Sequence, residues 1–287
     1  MKIGYLGERG SFAEAAAAVL YAHEDIHTVS LNNYRQMFDA LTDGSIEIAV
    51  ARIENTYTGP NIRLLDFLRH ARAFITAETR LAEVYNLAGH KGAKAAQIRR
   101  VFAHPTVIAQ CQDYLERMEG VDIITRFDTA ACAKAMMERR DPAEALVCGD
   151  FGAGIYGLAV LQRGIQTERE SISRFAALGP HLVVPPVEAG EAHTLILLEL
   201  KHKPGALLNI MAVMKNYDLN VHLMGNTTTR TNKWQYLLAL EFPGRATDEH
   251  VIAAMKDVKQ HTQYAQMVGS YALVDSSVKM KKTGKID

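Results

Sequence analysis

Short apolar runs alternate with helical spacing along the first 180 or so residues. Residues 2–6 read as an opening strand. Residues 46–53 form a compact apolar run behind the turn Asp43-Gly44, and residues 100–103, 121–124 and 145–148 follow the same pattern. Between them the spacing predicts helices over 12–21, 34–41, 62–70, 105–118 and 129–139. Pro105 suits the first turn of its helix, where a missing N–H costs nothing. This rhythm predicts an α/β fold with largely parallel sheets.

The pattern changes after residues 180–190, a stretch with three prolines and flanking glycines whose second half reads as a linker. Beyond it come a strand over 193–200, the turn Lys203-Pro204-Gly205, a helix over 206–215, strands over 221–224 and 234–242, a helix over 248–258 and a last strand over 267–274. That order is βαββαβ, a ferredoxin-like domain. The expected division is therefore 1–182, a linker at 183–190, a second domain at 191–275 and a basic tail at 276–287.

Composition narrows the classes. The chain has 287 residues, 48% hydrophobic and 22% charged, with 32 basic and 32 acidic side chains. The balance argues against nucleic acid or a membrane surface as partner, and the basic run Lys279-Met280-Lys281-Lys282 reads as a frayed tail. No signal peptide precedes the first strand, and no apolar run is long enough to span a bilayer. Three separated cysteines, Cys111, Cys132 and Cys148, fit core packing in a reducing cytoplasm. Eleven histidines form no metal-binding spacing, so neither metal nor cofactor is expected.

Several polar groupings stand where ligands gather. Ser173-Arg174 joins a hydroxyl, able to donate at a leaving group, to a guanidinium that holds carboxylates. Arg52 and Glu54 flank Ile53 at the end of an apolar strand, where ligands of α/β sheets sit, and Asn55-Thr56 follow in a turn closed by Gly59. Ser11 is a good cap for the first helix and Asp128 or Thr129 for another, and helix starts attract anions. Gln110 follows a strand-to-helix passage; an amide aimed into a cleft and a packed surface glutamine are both compatible with its position.

Together these residues resemble the prephenate dehydratase family over nearly the whole chain. Residues Gly7 to Phe12 resemble its opening Gly-Pro-x-Gly-Thr-Phe, Ile53-Glu54-Asn55-Thr56 its Ile-Glu-Asn-(Ser/Thr) loop, and His104-Pro105 with Gln110-Cys111 its Ser-His-Pro-Gln…Gln-Cys helix start. Thr129-Ala130 resembles its Ser-Thr-Ala segment, Ile155-Tyr156-Gly157-Leu158 its Tyr-Gly-Leu stretch, and Ser173-Arg174-Phe175 its Thr-Arg-Phe signature. The second domain resembles an ACT domain, with Gly205-Ala206-Leu207-Leu208 as its effector region. The resemblance implies a bilobal catalytic domain like a periplasmic binding protein, and an ACT domain that assembles a homodimer or homotetramer. It implies Ser173, Arg174, Asn55 and Thr56 as catalytic residues. Ser11, Arg52, Glu54, Gln110, Thr129, Ala130 and Phe175 are the implied contacts to a small diacid.

The departures from the family pattern cluster around that site. Ser173 replaces threonine, Ser171 asparagine, Thr167 aspartate, Ala103 serine, Thr106 glutamine, Arg52 proline and Glu8 proline. Gly225-Asn226-Thr227-Thr228 stands in place of the Glu-Ser-Arg-Pro effector motif. The implied reaction is loss of carbon dioxide and hydroxide from prephenate, driven by aromatisation. The alternatives are a non-aromatising decarboxylase of prephenate or a similar diacid, and a catalytically silent sensor of small acids.

Overall fold

A computed structural model of the chain describes residues 1–228 and 236–274. Trp234, Arg230 and the basic run at 279–282 lie outside the described residues. Lobe one contains β1 (Lys2–Leu6), α1 (Phe12–Leu20), β2 (His27–Leu31), α2 (Tyr34–Thr42), β3 (Ile48–Asn55), β4 (Gly59–Pro60), α3 (Ile62–His70) and β5 (Phe74–Ala82). The chain then crosses into lobe two, with β6 (Asn86–Gly89), β7 (Arg100–Ala103), α4 (Pro105–Gln110), α5 (Gln112–Leu115), β8 (Asp122–Thr125), α6 (Thr129–Arg139), β9 (Glu144–Cys148), α7 (Asp150–Ile155) and β10 (Ala159–Gln162). It returns to lobe one as β11 (Ile172–Gly179). Two segments, residues 83–85 and 163–171, therefore join the lobes.

The helices start where the capping chemistry predicts. Ser11, Asn33, Asn61 and Asp128 each accept a backbone N–H from the first turn of their helix. His104 does the same ahead of Pro105. The single helix expected over 105–118 is broken at Cys111, whose backbone leaves helical geometry (φ −114°, ψ 17°). Within the lobes, parallel pairing is found at the heart of each, where β1 lies between β2 and β3, and β7 between β8 and β9. The returning strand β11 pairs antiparallel with both β3 and β5, and β6 antiparallel with both β9 and β10.

The C-terminal unit is β12 (Ala192–Leu200), α8 (Ala206–Asn216), β13 (Leu223–Thr228), β14 (Tyr236–Pro243), α9 (Glu249–His261) and β15 (Thr262–Val274), in the expected βαββαβ order. It does not stand apart. β15 pairs in parallel with β5, so one sheet runs β13-β14-β12-β15-β5-β11-β3-β1-β2. Two glycines permit this contact. A Cβ at Gly269 would come within 2.7 Å of Ile75 Cβ, and one at Gly225 within 3.1 Å of Ile62 Cδ1. One apolar core holds Leu64, Leu65 and Leu68 of α3 together with Leu195, Leu197 and Tyr271 of the C-terminal unit. Arg245 pins the preceding linker by donating to the carbonyls of Pro185, Pro186 and Val187.

Among the described residues no helix is long and apolar enough to cross a membrane, and no group of three or more His, Cys, Asp or Glu is placed to hold a metal ion. Cys111 and Cys148 are buried, and burial pushes both thiols up to about 12. Unfolded thiols titrate near ~8.5. The stability gained by keeping these groups neutral is present in full below the unfolded value and is lost as pH rises through the folded one. The urea midpoint is expected to hold steady from about pH 7 to 8 and to fall between about pH 9 and 11. At neutral pH a thiol reagent should label half-buried Cys132 before either of the others, as read by mass spectrometry of timed samples.

Candidate active site

β11 positions the signature residues, and the pleat of a strand sends neighbours to opposite faces. Phe175 is 2% exposed and joins Ile3, Tyr5 and Val50 under α1. Ala176 and Leu178 belong to the other face, in the core shared with α3 and the C-terminal unit. Ser173 lies on the Phe175 side and Arg174 on the side of the C-terminal unit. Adjacent in sequence, they serve two different places. Phe175, expected at the substrate, is a core residue because the same alternation drives it under α1.

A register shift sharpens the division. Arg174 faces Glu54, whereas Phe175 faces Arg52, so Ile53 is an extra residue in β3. Such a bulge re-aims the side chains around it. Arg52 turns to the Ser173 side and Glu54 to the Arg174 side. The charged pair expected to act together around Ile53 is thereby split.

On the Ser173 side a buried polar cluster forms. Asn55 Oδ1 accepts the N–H groups of Tyr57 (2.9 Å) and Thr58 (3.1 Å). This fixes the amide so that Nδ2 donates to the hydroxyls of Ser171 (2.9 Å) and Ser173 (2.9 Å). Ser173 Oγ therefore spends a lone pair on Asn55 and donates its own hydrogen to Glu83 Oε1 at 2.7 Å. Arg52 Nη1 stands 3.5 Å from the same carboxylate oxygen, with its side chain 37% exposed. Ser173 is fully buried, while Ser171 and Arg52 reach the rim. Thr56 ties the loop together: Ile172 N–H donates to its hydroxyl (3.0 Å), which donates in turn to the Glu170 carbonyl (3.3 Å). Asn55 and Thr56 act on the arrangement of the site.

Arg174 is not free to hold a substrate. Its guanidinium donates to Glu78 from Nε (2.9 Å) and Nη2, to Glu54 from Nη1 (2.8 Å), and to both oxygens of Glu241 on β14 (2.7 and 2.8 Å). Tyr271 on β15 donates to Glu241 as well (2.9 Å). Although burial works against the charge, Glu78 and Glu241 raise the pKa of Arg174 above its ordinary value. The expected carboxylate fork is thus the bond between lobe one and the C-terminal unit, and Glu54 is one of its partners. Arg52 is the guanidinium left beside Ser173.

The helix starts hold their own anions. Gly10 N–H donates to the Glu14 carboxylate (2.6 Å), and Asp128 takes the Ala131 N–H (2.7 Å). The positive potential expected at Ser11 and Thr129 is consequently already matched by side chains of the same helices. Burial and nearby Asp128 raise the Glu8 carboxyl above its ordinary range, which places the first loop of lobe one close to the start of α6. Gly10 also lies against Gly152 and Tyr156 of lobe two. Gln110 is half-buried, and its backbone carbonyl accepts Thr167 N–H (2.8 Å). Thr129 and Ala130 are half-buried at the start of α6.

Two surface hollows lie elsewhere. One of about 490 Å³ between β2 and α2, near Asn33 and Asp39, is lined by none of the residues of the Ser173 cluster. The other, of about 300 Å³, is lined by Gly205, Ala206, Leu207 and Leu208 with Lys201, Lys203 and Tyr236. Glu83 escaped the sequence reading, although a single carboxylate in Leu81-Ala82-Glu83-Val84-Tyr85 was the available signal.

The fold and cluster define a two-lobed α/β protein with a polar site where the returning strand meets the inter-lobe segment. The family model described as prephenate dehydratase matches residues 3–182, and the chain belongs to that family. A bifunctional chorismate mutase/prephenate dehydratase of Aquifex aeolicus is 26% identical over 94% of this chain and 73% of its own length. An arogenate dehydratase/prephenate dehydratase of Arabidopsis thaliana is 26% identical over 94% and 72%. Among solved structures, a prephenate dehydratase of Arthrobacter aurescens in complex with L-Phe has a TM-score of 0.82 at 24% identity, covering 95% of this chain and 90% of that one. A protein described as GqqA, a novel type of quorum quenching acylase, has a TM-score of 0.81 at 22% identity, covering 95% and 98%.

Removing one partner of a buried ionic cluster strands the others. Arg174→Ala is expected to cost about 3–5 kcal/mol in urea unfolding, because Glu54 and Glu241 lose their cation and Glu78 is left with Arg80 alone among the described residues. Glu241→Gln should cost less. If Arg174→Ala instead left stability unchanged and only raised KM, the guanidinium would be serving substrate.

Proposed function

We propose that the protein is a lyase that converts prephenate to phenylpyruvate, releasing carbon dioxide and water. The observation that carries this reading is the family match over 3–182 combined with the signature hydroxyl, Ser173, held between Asn55 and Glu83. Loss of carboxylate pushes an electron pair through the ring and expels the hydroxyl, and aromatisation drives the step without an organic cofactor. The enzyme has to bind a dianion and supply one proton. Arg52 suits one carboxylate, because its planar fork stands at the rim with one distant carboxylate partner among the described residues. Asn55 orients Ser173, and Ser171 widens the polar rim. Fold alone does not select the reaction, since a quorum quenching acylase shares it.

Incubation with prephenate followed by NMR tests the reading. Aromatic phenylpyruvate is expected. A cyclohexadiene product would point to a non-aromatising decarboxylase, and unchanged substrate to a sensor. Ser173→Ala should lower kcat by about a hundredfold to ten-thousandfold, as for other positioned proton-transfer groups. Arg52→Ala should mainly raise KM, since it removes binding that the ground state already enjoys.

The C-terminal unit is proposed to be an ACT domain that assembles a homodimer or homotetramer. Leu208, Met224 and Ile252 are exposed there, a supply of apolar surface for a second copy. Gly225 supports weak regulation by phenylalanine: it stands where the family's effector motif begins, and here it faces Ile62 and Pro60 in the shared core. Calorimetric titration should show no micromolar phenylalanine binding. Inhibition accompanied by such binding would mean that the hollow beside Gly205 works with other residues. The proposed compartment is the cytoplasm, consistent with three unbridged cysteines.

A further inference from the structure

Glu83 sits on the inter-lobe segment and is 3% exposed. Its Oε1 accepts the Ser173 hydroxyl at 2.7 Å. Its Oε2 is buried with no hydrogen-bond partner among the described residues. The charged and titratable groups facing it are Arg52 from β3, at 3.5 Å, and Tyr85 from its own segment. As a purely structural feature this is poor design. A carboxyl group is withdrawn from water for one neutral hydroxyl and a loose contact with a guanidinium, and half of it is left unsatisfied. The dehydratase reading, meanwhile, lacks a source for its proton. A serine hydroxyl is far too weak an acid to supply one and recover it unaided.

We propose that Glu83 is the positioning residue that provides the proton for the departing hydroxyl, relayed through Ser173. This rests on the dehydratase reading of the site. Asn55 donates to Ser173 throughout, because its amide is fixed by Tyr57 and Thr58. That leaves Ser173 Oγ one lone pair and one hydrogen to exchange. When the Glu83 carboxyl carries a proton, it donates to that lone pair and the Ser173 hydrogen turns outward to the leaving oxygen. The ring carbon–carboxylate bond breaks to give carbon dioxide, and its electron pair enters the ring. The ring carbon–oxygen bond breaks, the oxygen takes the Ser173 proton, and Ser173 takes the Glu83 proton. The products are phenylpyruvate, carbon dioxide and water, with Glu83 left as carboxylate to regain a proton from solvent. Ser173 is covered in this arrangement, so the connecting segment that carries Glu83 has to shift for the hydroxyl to meet substrate.

The test is the pH profile of phenylpyruvate formation by wild type, Glu83→Gln, Ser173→Ala and the double variant, with folding checked by near-ultraviolet circular dichroism. Wild-type kcat should fall on the alkaline side as the relay loses its proton. Glu83→Gln should lower kcat by about a hundredfold or more and leave KM within about threefold, with the alkaline limb gone. In the Ser173→Ala background, Glu83→Gln should add less than about threefold, because both changes break one chain. A Glu83→Gln enzyme that keeps the wild-type kcat and limb, or losses that multiply in the double variant, would overturn the relay. If Glu83→Gln does not fold, Ser173→Thr should keep the limb and Ser173→Ala lose it; both keeping it also rejects the relay. A wild type that forms no phenylpyruvate brings down the dehydratase reading and the relay together, whereas phenylpyruvate formed without dependence on Glu83 brings down the relay alone.

Discussion

The structure turns on the two faces of β11. Ser173 and Phe175 go to one side and Arg174 to the other, where it gathers Glu54, Glu78 and Glu241. Glu54 and Glu78 come from strands flanking β11 and Glu241 from the C-terminal unit, so this one side chain ties lobe one to that unit. The cost of burying several like charges is offset because every nitrogen of the guanidinium donates to a carboxylate. The bulge at Ile53 completes the arrangement by turning Glu54 toward Arg174 while Arg52 remains beside Ser173.

This division explains why the site looks unlike its family pattern in sequence and yet is chemically coherent. Arg52, where the family has proline, lies over Glu83, and Glu83 receives the Ser173 hydroxyl. Ser171, where the family has asparagine, takes the second hydrogen of Asn55. Three of the departures, Arg52, Ser171 and Ser173, thus belong to one polar group. In a low-dielectric interior such groups behave as a unit, since each unsatisfied member would be costly.

The continuous sheet places the C-terminal unit one side chain from the candidate site. Arg174 is the immediate neighbour of Ser173, and its partner Glu241 lies on β14, which also pairs with β13. A shift of β14 against lobe one would therefore be felt by β11 directly. The shared core around Tyr271 packs the two units directly against each other.

Local chemistry was enough to read much of the fold. Apolar runs and caps such as Ser11 and Asp128 place β1, α1, α3, β7 and α6, and turns and periodicity are enough to order the C-terminal unit as βαββαβ. β5 and β11 were not legible, because Glu78 and Arg174 interrupt their apolar pattern and are satisfied only by partners far away in sequence. The motif residues Asn55 and Ser173 were recognisable by type. Which face each one occupied was not, because strand pleat and a single-residue bulge decide that only after β3 and β11 have paired. Glu83 was invisible for the same reason: a carboxylate acquires a role from the hydroxyl beside it, and Ser173 lies ninety residues along the chain. The sequence by itself determined the helices, the strands that form unbroken apolar runs and the inventory of chemical groups. The tertiary structure decided which of them meet, since pairing register and burial are properties of strands brought together from distant parts of the chain.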